Sequence, residues 1–453
     1  MAYFKRHIDD RLREWKTSTQ RKPLLIRGAR QVGKSTAVRE LGKTFKYFLE
    51  INLEKQPDFR KQFPENIDVK RTCENLSGTT GIPIIPGETL LFIDEIQTCK
   101  EAIMSLRYFK EDYPELHVIA AGSLLEFALK NLSSFGVGRV SSLFVYPMSF
   151  DEFLTATRQE GLLRIKRNSS STNPLPEAFY NRLVEAFRSY MLVGGMPEAV
   201  ATYTETGSYR YSSDIVNEII QGYQDDFAKY GAKANPLLLR QTLISVAHQA
   251  GTKFVYSRVE GQYRSAEVKV ALEMLKDAGL IIPTYHTDAN GVPLGAEINE
   301  RVVKYLIHDT GVLLGILGID DDIDERIKEM MVADSIDLVD KGHVAEMMAG
   351  LELIKYSSPQ KRHQLYYWQN MNKGTCAEVD YVIARSGSIV PIEVKSGVKG
   401  SMSSMYSLMR NPQKHIEMGI RCSLENFGTF ASPGGKKIDI IPLYAISNLF
   451  AEK

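Results

Sequence analysis

The stretch PLLIRGARQVGKST, Pro23 to Thr36, constrains this chain more than any other. An apolar run, Leu24-Leu25-Ile26, leads into Gly28, four further residues, and then Gly33-Lys34-Ser35-Thr36. This spacing predicts a strand, a phosphate-cradling loop and a helix in direct succession. Gly28 and Gly33 let the backbone curl, so that N–H groups along Ala29, Arg30, Gln31 and Val32 can face an anion. Lys34 is placed to reach the β and γ oxygens of a nucleoside triphosphate, and the Ser35 hydroxyl to ligate Mg²⁺. The helix that follows points its positive end at the same anion. Residues 28–36 are therefore the expected cradle for ATP with Mg²⁺.

Two further segments fit the same chemistry. ETLLFIDEIQ, Glu88 to Gln97, is a continuous apolar strand ending in Asp94-Glu95, as suits the middle of a parallel sheet. Ligands of open α/β sheets bind beyond the carboxyl ends of the strands. Asp94 is thus expected in the Mg²⁺ shell and Glu95 beside the attacking water; a plain solvated strand end is the alternative. HVIAAGS supplies a third strand whose terminal Ser123 is expected near the γ-phosphate. In GVGRVSSLFVYPMSFDEFL, Arg139 has two readings. It is either a transition-state cation, acting in cis or from a neighbouring subunit, or an ordinary surface arginine. The glycines of FGVGR, Gly136 and Gly138, lack the third glycine and the leading strand of a dinucleotide fingerprint.

GARQVGKST, LLFIDEIQ, AAGS and GRVSSLFVYPMSFDEFL resemble the successive blocks of a prokaryotic group of AAA-type ATPases. In that group the ATPase module is fused to a C-terminal domain of unknown function. The resemblance runs on through YMLVGGMPEAV (Tyr190 to Val200), QDDFAKY (Gln224 to Tyr230), HDTGVLLGILG (His308 to Gly318) and GHVAEMMAGLEL (Gly342 to Leu353). It implies ATP hydrolysis and allows a homo-oligomer, without fixing a cellular role.

The middle of the chain reads differently. RNSSSTNPLPE, Arg167 to Glu177, is a polar linker, and Gly194-Gly195-Met196-Pro197 a fixed turn. A helix from Asn235-Pro236, a short second one in FVYSRVEG, a stronger third at Ser265 to Ile281 and two strands around Asn290-Gly291 suggest a winged helix. Its exposed candidates, Glu267, Lys269, Glu273 and Lys276, mix both signs, which suits a packing module better than a DNA reader.

The closing quarter contains AEVDYVIARSGSIVPIEVKSG, Ala377 to Gly397. Period-two alternation places Glu378 with Asp380, and Glu393 with Lys395. One surface could hold Asp380, Glu393 and Lys395, with Glu346 reaching in from the preceding helix. Converging carboxylates bind a hard divalent cation, and a lysine can stabilise charge on phosphorus. The set resembles the Asp…Glu-x-Lys core of restriction-endonuclease-like folds, PD-(D/E)xK, which implies metal ligation by Glu346, Asp380 and Glu393 and catalysis by Lys395. Lys361, Arg362, Lys373, Lys399 and Arg410 are candidate phosphate contacts, or a plain solvated face.

Composition bounds the rest. A length of 453 residues suggests about two to four domains. No run approaches the ~18 apolar residues of a membrane helix, and the charged opening, MAYFKRHIDDRLREWK, is unlike a signal peptide. Cys73, Cys99, Cys376 and Cys422 are scattered, so a reducing cytoplasm is expected. Net charge is only +1, which argues against strong unspecific binding to DNA. The expected architecture is α/β. A P-loop ATPase sheet flanked by helices occupies residues 1–165, and a linker with a helical segment 166–234. A winged-helix-like domain follows at 235–318, then a small α/β nuclease-like domain at 319–453. The expected function is ATP hydrolysis controlling a nucleic-acid-binding or nuclease-like domain, with DNA or RNA as candidate partner and no membrane. The alternative is an ATP-driven switch or scaffold whose nuclease-like domain is inactive and binds a protein or nucleic acid.

Overall fold

The computed structural model describes residues 3–130, 132, 138–230, 235–318, 342–370, 377–397 and 400–450. Gly136, the acid-rich run 319–340, Lys373, Cys376 and Lys399 lie outside them. The chain divides into two compact units. One comprises Met1–Pro147, Asp277–Gly279 and Ser358–Arg362; the other comprises Met148–Lys276, Leu280–Ser357 and His363–Lys453.

The first unit is built on five strands: β1 (Leu24–Arg27), β2 (Tyr47–Asn52), β3 (Thr89–Asp94), β4 (His117–Ala121) and β5 (Ser141–Phe144). They form one sheet in the order β2-β3-β4-β1-β5, with every pairing parallel. All residues of β3 and β4 are buried, which explains why both read as unbroken apolar runs. Helices Val69–Thr80 and Lys100–Asp112 cover one face. Cys73 and Leu76 from the first, and Ile103, Leu106 and Phe109 from the second, join Leu91, Ile93 and Val118 in one core. Each such side chain contributes about 1.5–3 kcal/mol by leaving water. The outer edge of β5 is covered where the Phe144 N–H donates to the Pro359 carbonyl at 2.8 Å.

The second unit opens with helices and closes with two sheets. Helices Glu177–Val193 and Thr310–Ile316 meet where the Gly194-Gly195 turn lies against Asp309. The Gly195 N–H donates to Asp309 Oδ2 at 2.6 Å, and a Cβ on Gly194 would fall 2.2 Å from Asp309 Oδ1. Glycine is required there by space as well as by its φ of +75°. The strands are β6 (Ile281–Thr287), β7 (Ile298–Ile307), β8 (Leu365–Gln369), β9 (Glu378–Val379), β10 (Tyr381–Arg385), β11 (Ser388–Val394), β12 (Met418–Ser423), β13 (Gly428–Ala431) and β14 (Lys437–Pro442).

Two features differ from the sequence reading. The β6–β7 pair is antiparallel as expected, but residues 288–297 join it, not a two-residue turn at Asn290-Gly291. The Thr287 hydroxyl and the Asn290 N–H instead bond to Leu294 and Glu297 inside that loop. The hairpin is also no free-standing wing, because β8 pairs parallel with β6 and the sheet runs β7-β6-β8-β9. A wing contributed at 281–307 is therefore continuous with strands from the closing quarter. The second sheet runs β10-β11-β12-β14-β13.

Truncating the fully buried Leu106 to Ala should cost about 2–5 kcal/mol by the loss of transfer energy and the cavity left behind. Urea denaturation read as a shifted midpoint at constant slope is the check.

Candidate nucleotide site and a buried carboxylate centre

β1 ends at Arg27, and the chain turns through Gly28 to Gly33 into the helix Lys34–Gly42. Three residues adopt positive φ: Gly28 at 145°, Gln31 at 64° and Gly33 at 92°. A Cβ on Gly28 would lie 2.1 Å from the Val145 carbonyl oxygen, so only glycine lets the loop approach the strand end. Arg6 fastens the loop from behind, donating to the carbonyls of Val32 at 3.0 Å and Tyr146 at 2.8 Å. Val32 is wholly buried, while Arg30, Gln31 and Thr36 are exposed.

Lys34 is buried beneath the loop, and its Nζ donates to the carbonyls of Gly28 at 3.0 Å and Ala29 at 2.6 Å. Burial lowers its pKa to about 8, against the pull of Glu95 and Asp94. The Ser35 hydroxyl lies 3.1 Å from both oxygens of Asp94, and Asn52, opposite Asp94 in the sheet register, donates to Oδ2 at 3.3 Å. Burial, and then the charge of Glu95, raises the Asp94 carboxyl. Its oxygens and the Ser35 hydroxyl, all hard donors from two elements, suit Mg²⁺.

Glu95 sits beyond the end of β3 at a φ of +51°, an unusual conformation for a glutamate. Its Oε2 accepts from Gln97 Nε2 at 2.6 Å and lies 3.5 Å from the Ser123 hydroxyl. Gln97 fits only because residue 122 is glycine, since a Cβ there would fall 2.0 Å from Gln97 Oε1. The structure thus brings Lys34, Ser35, Asp94, Glu95 and Ser123 to one rim of the sheet. Arg139 instead pairs with Glu111 at the surface, a carboxylate it shares with Arg107. Arg6, Asn52, Gln97 and Gly122 were not legible as site residues, because each acts through a fold-dependent neighbour.

Elsewhere in the first unit a cavity of about 750 Å³ borders β5. Arg11, Arg21, Lys22, Arg27, Lys361 and Arg362 line it against a single carboxylate among its described lining residues, Glu14. Arg11 pairs with Glu14, and Arg27 with Glu126.

The second unit gathers the four residues of the expected nuclease-like centre. Asp380 stands where the chain leaves β9 in one sheet and enters β10 in the other, and its Oδ2 accepts the Val394 N–H at 2.7 Å. Lys395 Nζ donates to Glu393 Oε1 at 2.7 Å. Glu346, on helix His343–Lys355, is buried and accepts at 2.8 Å from a lysine that the sequence did not single out, Lys304 of β7. Lys304 also donates to Glu378 at 2.5 Å. Burial opposes its charge, but Glu346, Glu378 and Asp380 outweigh it and raise its pKa. Burial raises Glu346 to about 8 and Glu393 to about 7, with Asp380 adding to both. Among the described residues no group of three or more His, Cys, Asp or Glu is arranged to hold a metal ion.

Residues 20–154 match the family model described as AAA domain. Residues 184–323 match Domain of unknown function (DUF8612), and residues 341–446 match Domain of unknown function (DUF4143). The N-terminal part is accordingly a P-loop ATPase domain of AAA type. No curated protein matches the chain. Among solved structures, a Walker-type ATPase of Pyrococcus abyssi is similar at 18% identity, over 70% of this chain and 96% of that one, with a TM-score of 0.44. A signal transduction ATPase with numerous domains from Pyrococcus horikoshii is 12% identical over 73% and 45% of the two chains, TM-score 0.26. The Hsp104–ADP complex of S. cerevisiae is 11% identical over 78% and 43%, TM-score 0.27. Among the described residues no helix is long and apolar enough to cross a membrane.

Two outcomes follow from this geometry. Nucleotide affinity should weaken as pH rises above about 8, because the free site then loses the Lys34 charge that the phosphates require. The limiting slope is about tenfold per pH unit, read by titrating a fluorescent ATP analogue from pH 7 to 9.5. Gly122→Ala should displace Gln97 and free Glu95, lowering kcat about 10–100-fold with a smaller change in KM; steady-state phosphate release is the measurement.

Proposed function

We propose that the protein hydrolyses ATP with Mg²⁺ and uses the cycle to switch its binding of nucleic acid, which the nuclease-like centre of the second unit does not cut. The observation that carries the ATPase reading is the meeting of Ser35 and Asp94 at 3.1 Å beside Glu95. Ser35 and Asp94 would hold Mg²⁺, which when bound supplies positive charge to the phosphate oxygens. Lys34 would turn from the Gly28 and Ala29 carbonyls to the β and γ oxygens. Glu95, fixed by Gln97 and Ser123, orients a water for attack on the γ phosphorus and accepts its proton. The bond from that phosphorus to the bridging oxygen breaks, giving ADP and inorganic phosphate. Arg139 could join the transition state only by leaving Glu111.

The basic cavity of the first unit, beside β5, supports the nucleic-acid reading, since its lining cations outnumber its carboxylates even with Arg11 paired to Glu14 and Arg27 to Glu126, which favours a phosphodiester backbone. The non-cutting reading is favoured by Lys304, whose ammonium occupies Glu346, one of the carboxylates that cleavage would need, together with the neighbouring Glu378.

One set of proteins tests the proposal. Glu95→Gln should lower turnover about 10²–10⁴-fold while retaining ATP, and Lys34→Ala should lose ATP binding. Anisotropy of a labelled single strand should then separate the ATP-loaded Glu95→Gln protein from Lys34→Ala, with affinity falling steeply in salt. Equal ATP turnover in wild type and Glu95→Gln would overturn the hydrolytic assignment. Metal-dependent cleavage of the strand, lost in Lys395→Ala, would overturn the non-cutting one.

A further inference from the structure

The carboxylate centre of the second unit holds an ammonium group where its acids converge. Lys304 projects from β7 and is 1% exposed, with Nζ 2.8 Å from Glu346 Oε1 and 2.5 Å from Glu378 Oε1. The ring of Tyr367 lies 4.9 Å from the same nitrogen. An isolated buried ammonium is too costly to persist, so this one is kept charged by carboxylates that would otherwise repel one another. The four acids, Glu346, Glu378, Asp380 and Glu393, are met by two lysines, Lys304 and Lys395.

We infer that the Lys304 ammonium is the resident cation of this centre and takes the place of the divalent ion that a nuclease-like Glu346–Asp380–Glu393 set would otherwise gather. This inference rests on the non-cutting reading above and gives its physical cause. With Glu346 and Glu378 committed to Lys304, only Asp380 and Glu393 remain, and Asp380 already accepts the Val394 N–H. A hard divalent ion needs several oxygen ligands and a strong inward charge, and Lys304 removes both. Glu393 lies outside the reach of Lys304 and is met by Lys395 instead. Glu393 is 5% exposed, and its Oε2 is buried with no hydrogen-bond partner among the described residues. A carboxylate oxygen is rarely left in this way unless the charge beside it is shared. Removing the Lys304 charge should therefore expose a divalent site in which Glu346, Asp380 and Glu393 are all available.

The test measures Mn²⁺ binding by calorimetry and electron paramagnetic resonance on the full chain without nucleotide. Every protein carries Asp94→Asn, which silences the Ser35–Asp94 site. The Lys304-intact protein should bind no Mn²⁺ at this centre. Lys304→Met and Lys304→Gln should each bind one equivalent, with binding lost on adding Asp380→Asn. If either variant is unfolded alone, recovery of its native circular dichroism by Mn²⁺ during refolding is the equivalent readout. Stoichiometric Mn²⁺ binding by the Lys304-intact protein, abolished by Asp380→Asn, would overturn the inference. So would a Lys304 variant that neither binds Mn²⁺ when folded nor recovers with it. Strand cleavage is scored separately, so a failed metal measurement is not confused with a failed non-cutting assignment.

Discussion

Everything in the nucleotide site depends on one constraint, that parallel strands end together. β1, β3 and β4 all finish at one rim, because neighbouring parallel strands share direction and the order places β4 between the other two. The loop after β1 therefore meets the carboxylates after β3 and the hydroxyl after β4, although nearly a hundred residues separate Gly28 from Ser123. No side chain has to be long to cross the distance. Ser35, among the shortest polar residues, touches both oxygens of Asp94. The apolar middle of each strand fixes the sheet, and the sheet fixes the polar ends.

The second unit depends on a different rule, that a charge taken out of water must be met. Asp151 and Lys166 are both buried and pair with each other, and Arg167, Tyr356 and Ser447 bond to the same pair. Glu352 accepts from the Tyr190 hydroxyl at 2.7 Å and the Phe150 N–H at 3.1 Å. Asp309 accepts the Gly195 N–H of the glycine turn and the Val312 N–H in the first turn of helix Thr310–Ile316. Lys304 belongs to this pattern: its two partners come from a helix and from another strand, so it joins three elements at once. Breaking such a pair strands a charge, whereas the intact pair adds little net stability. These contacts therefore specify which elements meet more than they add to stability.

That difference explains what was legible. Gly28, Lys34, Ser35, Asp94 and Glu95 declare themselves because a short linear spacing is the chemistry, and the strand–loop–helix order needs nothing distant. The IEVK piece was likewise readable as a strand, but the alternation that put Glu378 and Asp380 on one strand face does not hold, because the chain passes at Asp380 from β9 in one sheet to β10 in the other. Lys304 was not readable. It lies in INERVVKYLI, where a lysine between apolar residues of a strand looks like an outward-facing charge. Only the fold brings Glu346 of helix His343–Lys355 and Glu378 of β9 to that face and makes it an inward one. Gln97 and Arg6 were hidden for a similar reason, as each holds a loop whose shape exists only in the folded chain.

The strain at Glu95 has a consequence for how the site can work. A glutamate at a φ of +51° is held off its preferred backbone, and the hold comes from its side chain's bond to Gln97 and from the short turn that begins there. The Thr98 N–H and hydroxyl both return to the Glu95 carbonyl, at 3.2 and 2.9 Å. The carboxylate is thus aimed before any nucleotide arrives, and no entropy has to be lost at the moment of reaction to aim it. Lys34 is the opposite case, since its donors rest on the loop's own carbonyls and must be exchanged for phosphate oxygens. One group is fixed and the other is free to change partners. In the proposed mechanism, binding would be registered by Lys34 and the loop above it, while Glu95 would stay in place for the chemistry.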